Sequence, residues 1–232
     1  QDRGMPNDHL QLPLDAQESL KLAQIPVDME LQLFASEPMV INPIALGWDK
    51  LGRLWVAEGH DYPNSFVMNS PGQDQIKILE DTNGDGKADK STTFAGGLTI
   101  ATSVLPIDNG CITTDGEDMV YLEDTDGDGK SDKRHVIWTG ISLGDTHACV
   151  SNIKLGLDGW IYATVGYAGV SPTVNGKKYN LKQGVFRFTR DGSSFEVIQQ
   201  TSNNTWGLGF TEQGRVVGST ANMNPSWFVS VP

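Results

Sequence analysis

The chain has 232 residues, a net charge of −12, 38% hydrophobic and 20% charged residues, 26 Gly and 11 Pro. That composition suits one large, loop-rich domain and makes an all-β class the natural expectation. An acidic chain without a basic stripe or recognition motif argues against nucleic acid, whose affinity comes mainly from Lys and Arg. With no run of about 18 apolar residues, no transmembrane segment is expected in this chain.

Residues 1–13 are polar and proline-punctuated and read as an arm, with His9 carrying no role. Asp15 and Glu18 resemble a capping box for a short helix over 16–23, which Pro26 ends. Residues 1–27 are therefore expected to form an N-terminal arm with a short helix, and 28–232 a single β domain. Met29, Leu31 and Leu33 alternate with Glu30, Gln32 and Phe34 in the manner of a half-buried strand.

From Asn42 onward one unit recurs, two strands joined by a glycine turn: 44–59, 103–114, 152–166 and 207–221. The turn glycines, Gly52, Gly110, Gly159 and Gly214, lie 58, 49 and 55 residues apart. That is the period of a four-stranded propeller blade with loops of varied length. The first two units continue into two copies of one twelve-residue stretch, LEDTNGDGKADK (79–90) and LEDTDGDGKSDK (122–133), identical at ten positions. Each places side-chain oxygens at alternate residues (Asp81, Asn83, Asp85; Asp124, Asp126, Asp128), adds a glycine, and ends on Asp89 or Asp132.

Hard Ca²⁺ takes roughly six to eight oxygens, and alternating Asp/Asn around a tight turn supplies them, with the carbonyl of Lys87 or Lys130 as a further ligand. Thr92 and His135 stand where an EF-hand would carry its twelfth-position Glu, and the flanks IKIL, STTF, MVYL and HVIW are strand-like. Each loop is thus expected at the tip of a β-hairpin, with calcium bound. In the third unit, residues 184–200 form the outer hairpin with an Asp-Gly turn.

Three blades are complete and a fourth ends after two strands and a stub at 226–231. The expectation is a β-propeller of about four blades here, belonging to a longer ring of about six. In a four-stranded meander the calcium hairpins lie on the face opposite the long loops. Those loops gather His60 to Asn64, Gly144 to His147, Tyr167, the 168–183 insertion, and Asn203 to Trp206. Polar and aromatic residues converging over a propeller channel make the default binding site. Cys111 and Cys149 are compatible with a disulfide or with two buried thiols. A start at Gln1 fits a mature form after signal removal, and millimolar extracellular calcium would fill such loops, so a periplasmic, cell-surface or secreted location is expected.

The stretches ASEPMVINPIALGWDKLGRLWVAEG, IKILEDTNGDGKADK, GDTHACVSNIKLGLDGWIYATVG, GVFRFTRDGSSFEV and NNTWGLGF resemble the bacterial membrane-bound dehydrogenase family common in Planctomycetes and Bacteroidetes. That family is similar to the soluble quinoprotein glucose and sorbosone dehydrogenases, NHL-like propellers often followed by helical repeats and a c-type haem domain. The resemblance implies a module oxidising a sugar or alcohol hydroxyl with pyrroloquinoline quinone, and a haem domain as electron acceptor. It makes His147 the general base; Asp145 is placed to orient it by accepting from the other ring nitrogen, and Tyr62, Tyr167, Asn203 and Asn204, on the same long-loop face, are the residues expected at the cofactor. Asn203 stands where the glucose dehydrogenases carry a quinone-binding Arg, and Ala148 where the family often has a second His. The competing expectation is a non-catalytic calcium-binding propeller that binds glycan or a protein partner.

Overall fold

The computed structural model describes residues 12–68 and 70–229; the predicted arm up to residue 11 and the last residues of the 226–231 stub lie outside them. The capping box forms as expected. Helix α1 (Ala16–Leu22) starts at Asp15, whose carboxylate accepts from the Glu18 N–H at 2.8 Å, and it buries no residue.

Residues 29–34 do not form the expected strand. Met29 and Leu31 stay exposed. No described strand pairs with this segment in a ladder; Phe34, at its end, packs against Val40, Leu54, Val56 and Leu79 and meets the Trp48 ring edge-on at 5.6 Å. Two long-range bonds to the first Asp-rich loop also hold it: the Ala88 N–H donates to the Phe34 carbonyl at 2.8 Å, and Gln32 Nε2 donates to the Asp85 carbonyl at 2.8 Å.

Four antiparallel blades follow. The first is β1 (Pro43–Trp48), β2 (Leu54–Glu58), β3 (Asp74–Glu80) and β4 (Lys90–Leu98), hydrogen-bonded in that order. The second is β5 (Val104–Ile107), β6 (Gly110–Asp115), β7 (Asp118–Glu123) and β8 (Lys133–Thr139), again a simple meander. The third contains β9 (Val150–Leu155) and β10 (Ile161–Val165), then a small separate hairpin, β11 (Thr173–Val174) with β12 (Lys177–Lys178), inside the 168–183 insertion. It is completed by β13 (Gly184–Phe188) and β14 (Phe195–Gln200). The fourth has three strands, β15 (Thr205–Phe210), β16 (Val216–Thr220) and the two-residue β17 (Trp227–Phe228).

The core lies between blades rather than within them, because each blade is a single sheet and buries its faces only against its neighbours. Trp55, Ile76, Ile78 and Phe94 of the first blade meet Val104, Cys111 and Leu122 of the second. Trp138 of the second blade receives Phe186, Phe188 and Phe195 of the third edge-on, with centroids 5.6–5.7 Å away. Tyr162 and Phe210 join the third to the fourth at 5.1 Å. Each large apolar side chain so buried contributes about 1.5–3 kcal/mol. The inner strands accordingly stand in the series β1, β5, β9, β15.

The turn glycines behave as expected at Gly52, Gly159 and Gly214, all with φ between 74° and 81°. Gly110 differs. The turn there belongs to Asp108, at φ 50°, and Gly110 lies within β6, where a Cβ would overlap the Leu122 carbonyl. Close approach of strands, not a left-handed dihedral, demands that glycine. Cys111 and Cys149 are both buried free thiols.

The two Asp-rich loops also meet their neighbours in one repeated way. Ser131 donates its N–H to the Phe94 carbonyl at 2.7 Å, as Ala88, 43 positions earlier, does to Phe34. Residue 34 therefore stands to the first blade as β4 stands to the second.

At the first blade junction, fully buried Asp74 accepts from the N–H groups of His60 (2.6 Å), Asp61 (2.8 Å) and Ala101 (2.8 Å). Burial pushes its carboxyl above the ordinary value, with the Asp61 charge adding to the rise and the three donors opposing it. Asp74→Asn keeps the shape but turns an amide NH₂ toward an N–H donor. It should destabilise the fold by about 1–3 kcal/mol in thermal denaturation; an unchanged melting temperature would show that these donors find other partners.

Candidate functional site at the long-loop face

Strand order puts the links β1–β2 and β3–β4 at one end of each blade and the links β2–β3 and β4–β5 at the other. The Asp-rich loops thus lie on the face opposite the long connections.

In the second loop, carboxylate oxygens of Asp124, Asp126 and Asp128 lie within 4.8 Å of one another. Backbone donors shape both loops. Asp81 accepts from the N–H groups of Gly84 and Gly86 at 2.7 Å, and Asp124 from those of Gly127 (2.7 Å) and Gly129 (2.9 Å). Those four glycines have φ between 78° and 85°. Desolvation would raise the Asp81 carboxyl, but the Gly86, Gly84, Asp85 and Asn83 N–H groups together outweigh it and hold the group below its usual range.

Asn83 and Asp85 each accept the N–H two residues on, at 2.9 Å. Asp126 and Asp128 do the same, at 3.2 and 2.8 Å. Asp89 and Asp132 close their loops, accepting from the hydroxyl and N–H of Thr82 and Thr125 respectively. Lys87 and Lys130 occupy the position from which a carbonyl would ligate. An oxygen-only donor set at this spacing fits a hard divalent cation.

On the other face a cavity of about 620 Å³ opens between the inner strands. Its walls are apolar on β1 (Ile44, Leu46) and hydroxyl- or amide-bearing just before β5 (Thr102, Ser103) and on β9 (Ser151, Asn152). Tyr62, His147 and Trp206 stand at the rim, and among the described residues Lys154 is the single ammonium or guanidinium in the lining.

A short 3₁₀ turn, Thr146–Ala148, carries His147. Asp145 caps the turn, accepting from the His147 N–H at 3.2 Å, and its Oδ1 lies 3.4 Å from His147 Nδ1. The imidazole is open to solvent, with 64% of its side chain exposed. Tyr62 meets it edge-on at 5.0 Å, and the Thr146 hydroxyl donates to the Pro63 carbonyl at 2.8 Å. The Cys149 thiol, pushed up to about 12 by burial and the Asp145 charge, donates to the Ser142 and Asp145 carbonyls.

Of the residues expected at the mouth, the structure brings His147, Asp145 and Tyr62 together. Tyr167 and Asn203 pair with each other instead, hydroxyl to Oδ1 at 2.6 Å, and Asn203 Oδ1 also takes the Asn204 N–H at 2.7 Å. Asn204 Oδ1 is buried without a partner among the described residues. It lies against Gly166, where a Cβ would overlap it and approach Ala148.

His60 turns away from the cavity to fully buried Glu58, at 3.3 Å. Glu58 also takes Lys77 Nζ (3.0 Å), Gln75 Nε2 (2.7 Å) and the Ile41 N–H (2.7 Å). Burial would raise its carboxyl, but the Ile41 N–H, Lys77, His60 and Gln75 hold it below the usual range. Sequence reasoning missed this network and the polar lining, because Thr102, Ser103, Ser151 and Asn152 form no motif. The one available signal was their place just before β5 and at the start of β9.

The fold is an all-β propeller whose long-loop face carries this mouth. The chain belongs to the family described as a domain of unknown function, DUF7133, which it matches over residues 15–231. No curated protein matches it.

Among solved structures it is similar to a protein of Thermus thermophilus described as an oxidoreductase (glucose dehydrogenase). Identity is 16% and the TM-score 0.53, covering 82% of this chain and 62% of that one. It is similar also to the PQQ domain of Coprinopsis cinerea pyranose dehydrogenase, at 12% identity and TM-score 0.55, over 81% of this chain and 48% of that one. The PQQ-bound aldose sugar dehydrogenase of Streptomyces coelicolor matches at 16% identity and TM-score 0.50, over 79% and 57%. The chain thus spans less than two thirds of each of these relatives, and at such identities the likeness establishes the fold.

Gly166→Ala should displace Asn204 and lower stability by about 1–3 kcal/mol, the usual cost of overpacking. A melting temperature equal to that of the parent would show that the Asn204 side chain is free to leave this position.

Proposed function

We propose that the chain is part of a quinoprotein-like dehydrogenase acting on the hydroxyl of a sugar or alcohol, with Ca²⁺ at both Asp-rich hairpins. The observation that carries the catalytic half is His147: an exposed imidazole at a cavity rim, its Nδ1 facing Asp145. Two of the similar structures are quinone-bearing sugar dehydrogenases by their descriptions, which supports the choice of substrate and cofactor.

With Nδ1 turned to Asp145, Nε2 is the atom that accepts the substrate hydroxyl proton, and Asp145 stabilises the imidazolium that forms. Pyrroloquinoline quinone, when bound, supplies the hydride acceptor. The residues here that suit it are the planes of Tyr62 and Trp206 and the Lys154 ammonium. The hydroxyl and amide groups of Thr102, Ser151 and Asn152 would orient a polyol against the apolar β1 wall. Electrons would then leave to a c-type haem domain, in a periplasmic, cell-surface or secreted protein where calcium is abundant.

A second reading, a glycan- or protein-binding propeller without catalysis, is favoured by one observation. A tricarboxylate quinone meets a single cation among the described lining residues, Lys154, and Asn203 is already engaged by Tyr167.

Two outcomes are expected. Calcium bound only by the folded state stabilises it by mass action, so EGTA should lower the melting temperature, and Asp85→Ala and Asp128→Ala should each remove one site. Identical melting in EGTA and excess calcium would refute the metal assignment. For the reaction, the full-length protein loaded with the quinone and calcium should reduce an artificial dye with some aldose or alcohol, and His147→Ala should lower turnover roughly 10²-fold or more. An unchanged quinone absorption spectrum and no dye reduction across a sugar panel would leave the binding module.

A further inference from the structure

Asp145 by itself is a weak guide for His147. Its Oδ1 stands 3.4 Å from Nδ1, beyond a well-formed hydrogen bond, and both side chains are open to water, 64% exposed for His147 and 41% for Asp145. At that distance and exposure the imidazole would be expected to turn over between rotamers and tautomers. Four other contacts act on the same short turn.

Thr146, the residue before His147, is buried and sends its hydroxyl to the Pro63 carbonyl at 2.8 Å, a partner 83 positions away in the connection between β2 and β3. Tyr62, next to Pro63, sets its ring edge-on against the imidazole at 5.0 Å. On the far side the Ala148 N–H closes onto the Asp145 carbonyl at 3.0 Å, and the Cys149 thiol donates to the Asp145 carbonyl at 3.5 Å. The first-blade loop therefore grips the second-to-third-blade link at two adjacent residues, one holding the backbone that carries His147 and the other holding its ring.

We propose that Thr146 and Tyr62 are positioning residues for His147, forming a clamp between blades that keeps Nδ1–H on Asp145 and leaves the Nε2 lone pair for the cavity. Neither residue touches the reacting atoms in this role. The clamp stands on geometry alone; its consequence for turnover rests on the reading of His147 as the general base.

Isotope-edited imidazole NMR of the ¹⁵N-histidine-labelled protein tests it, with the His147 signals assigned by their loss in His147→Gln. The wild type should show one predominant Nδ1–H tautomer. Thr146→Val, which keeps the shape and deletes the donor, and Tyr62→Leu, which deletes the ring, should each convert it to a tautomer mixture. Thr146→Ser and Tyr62→Phe should restore it.

A residue that only supports the fold would lower the melting temperature without moving the tautomer. An unchanged tautomer in both Thr146→Val and Tyr62→Leu overturns the proposal, as does a wild-type His147 that already populates a mixture. Where the full-length protein turns over a sugar, Thr146→Val should lower kcat about fivefold with KM held, the scale of one lost hydrogen bond. Tautomer shifts in a protein that oxidises no sugar would uphold the clamp while removing the dehydrogenase reading.

Discussion

Each blade of this chain is a single twisted sheet, and a single sheet has two faces to hide. Most of that surface is covered by the next blade: the apolar residues of β2 and β3 pack against β5 to β7, and those of the second blade against Phe186, Phe188 and Phe195, while Leu54, Val56 and Leu79 of the first blade take Phe34, Ala35 and Val40 on the other side. Everything else follows from that stacking. It lines the inner strands up around a common cavity, puts the tight hairpins at one end, and leaves the longer connections to meet at the other. The polar junctions obey the same constraint. Buried Asp74 gathers three N–H donors where the first blade hands over to the second, and the carbonyl of Trp206 takes the Asn152 amide where the third hands over to the fourth.

The two faces carry different chemistry because their loops obey different limits. On the hairpin face, the loops that close two adjacent strands carry side-chain oxygens at alternate residues, with glycines of positive φ among them. On the opposite face the connections span from outer to inner strand or across a blade, so they are long enough to cross a neighbour. Tyr62 from the first blade reaching His147 on the next link is the product of that length. A site assembled in this way depends on blade stacking for its geometry.

The fold was legible in the sequence wherever a local rule and a repeat agreed. The glycine turns, the alternating strands and the duplicated Asp-rich loop all recur at blade spacing, and nearly all appear where expected. Legibility failed where only tertiary contact decides. Residues 29–34 alternate well enough to read as a strand, yet no neighbouring described ladder receives them. Gly110 reads as a turn glycine, while the left-handed residue is Asp108 and Gly110 answers to the Leu122 carbonyl. His60 shares a loop with Tyr62, but burial of Glu58 with Lys77 and Gln75 draws it off the mouth. Tyr167 and Asn203 both read as cofactor-side residues, and their mutual hydrogen bond could not be read from positions 36 residues apart.

The central claim is that ligand binding belongs to the cavity mouth formed by Tyr62, His147 and Trp206, on the face away from the Asp-rich loops. Titrating the isotopically labelled full-length protein, with calcium present, with pyrroloquinoline quinone and then with an aldose, while following backbone and tryptophan indole resonances, tests it most directly. Saturable shifts confined to Trp206, the 60–64 and 144–149 connections and the residues around Asn152, with the 81–89 and 124–132 loops unmoved, are the predicted result. Shifts centred on the outer strands or the hairpin face, or no saturable shift with either ligand, would contradict it.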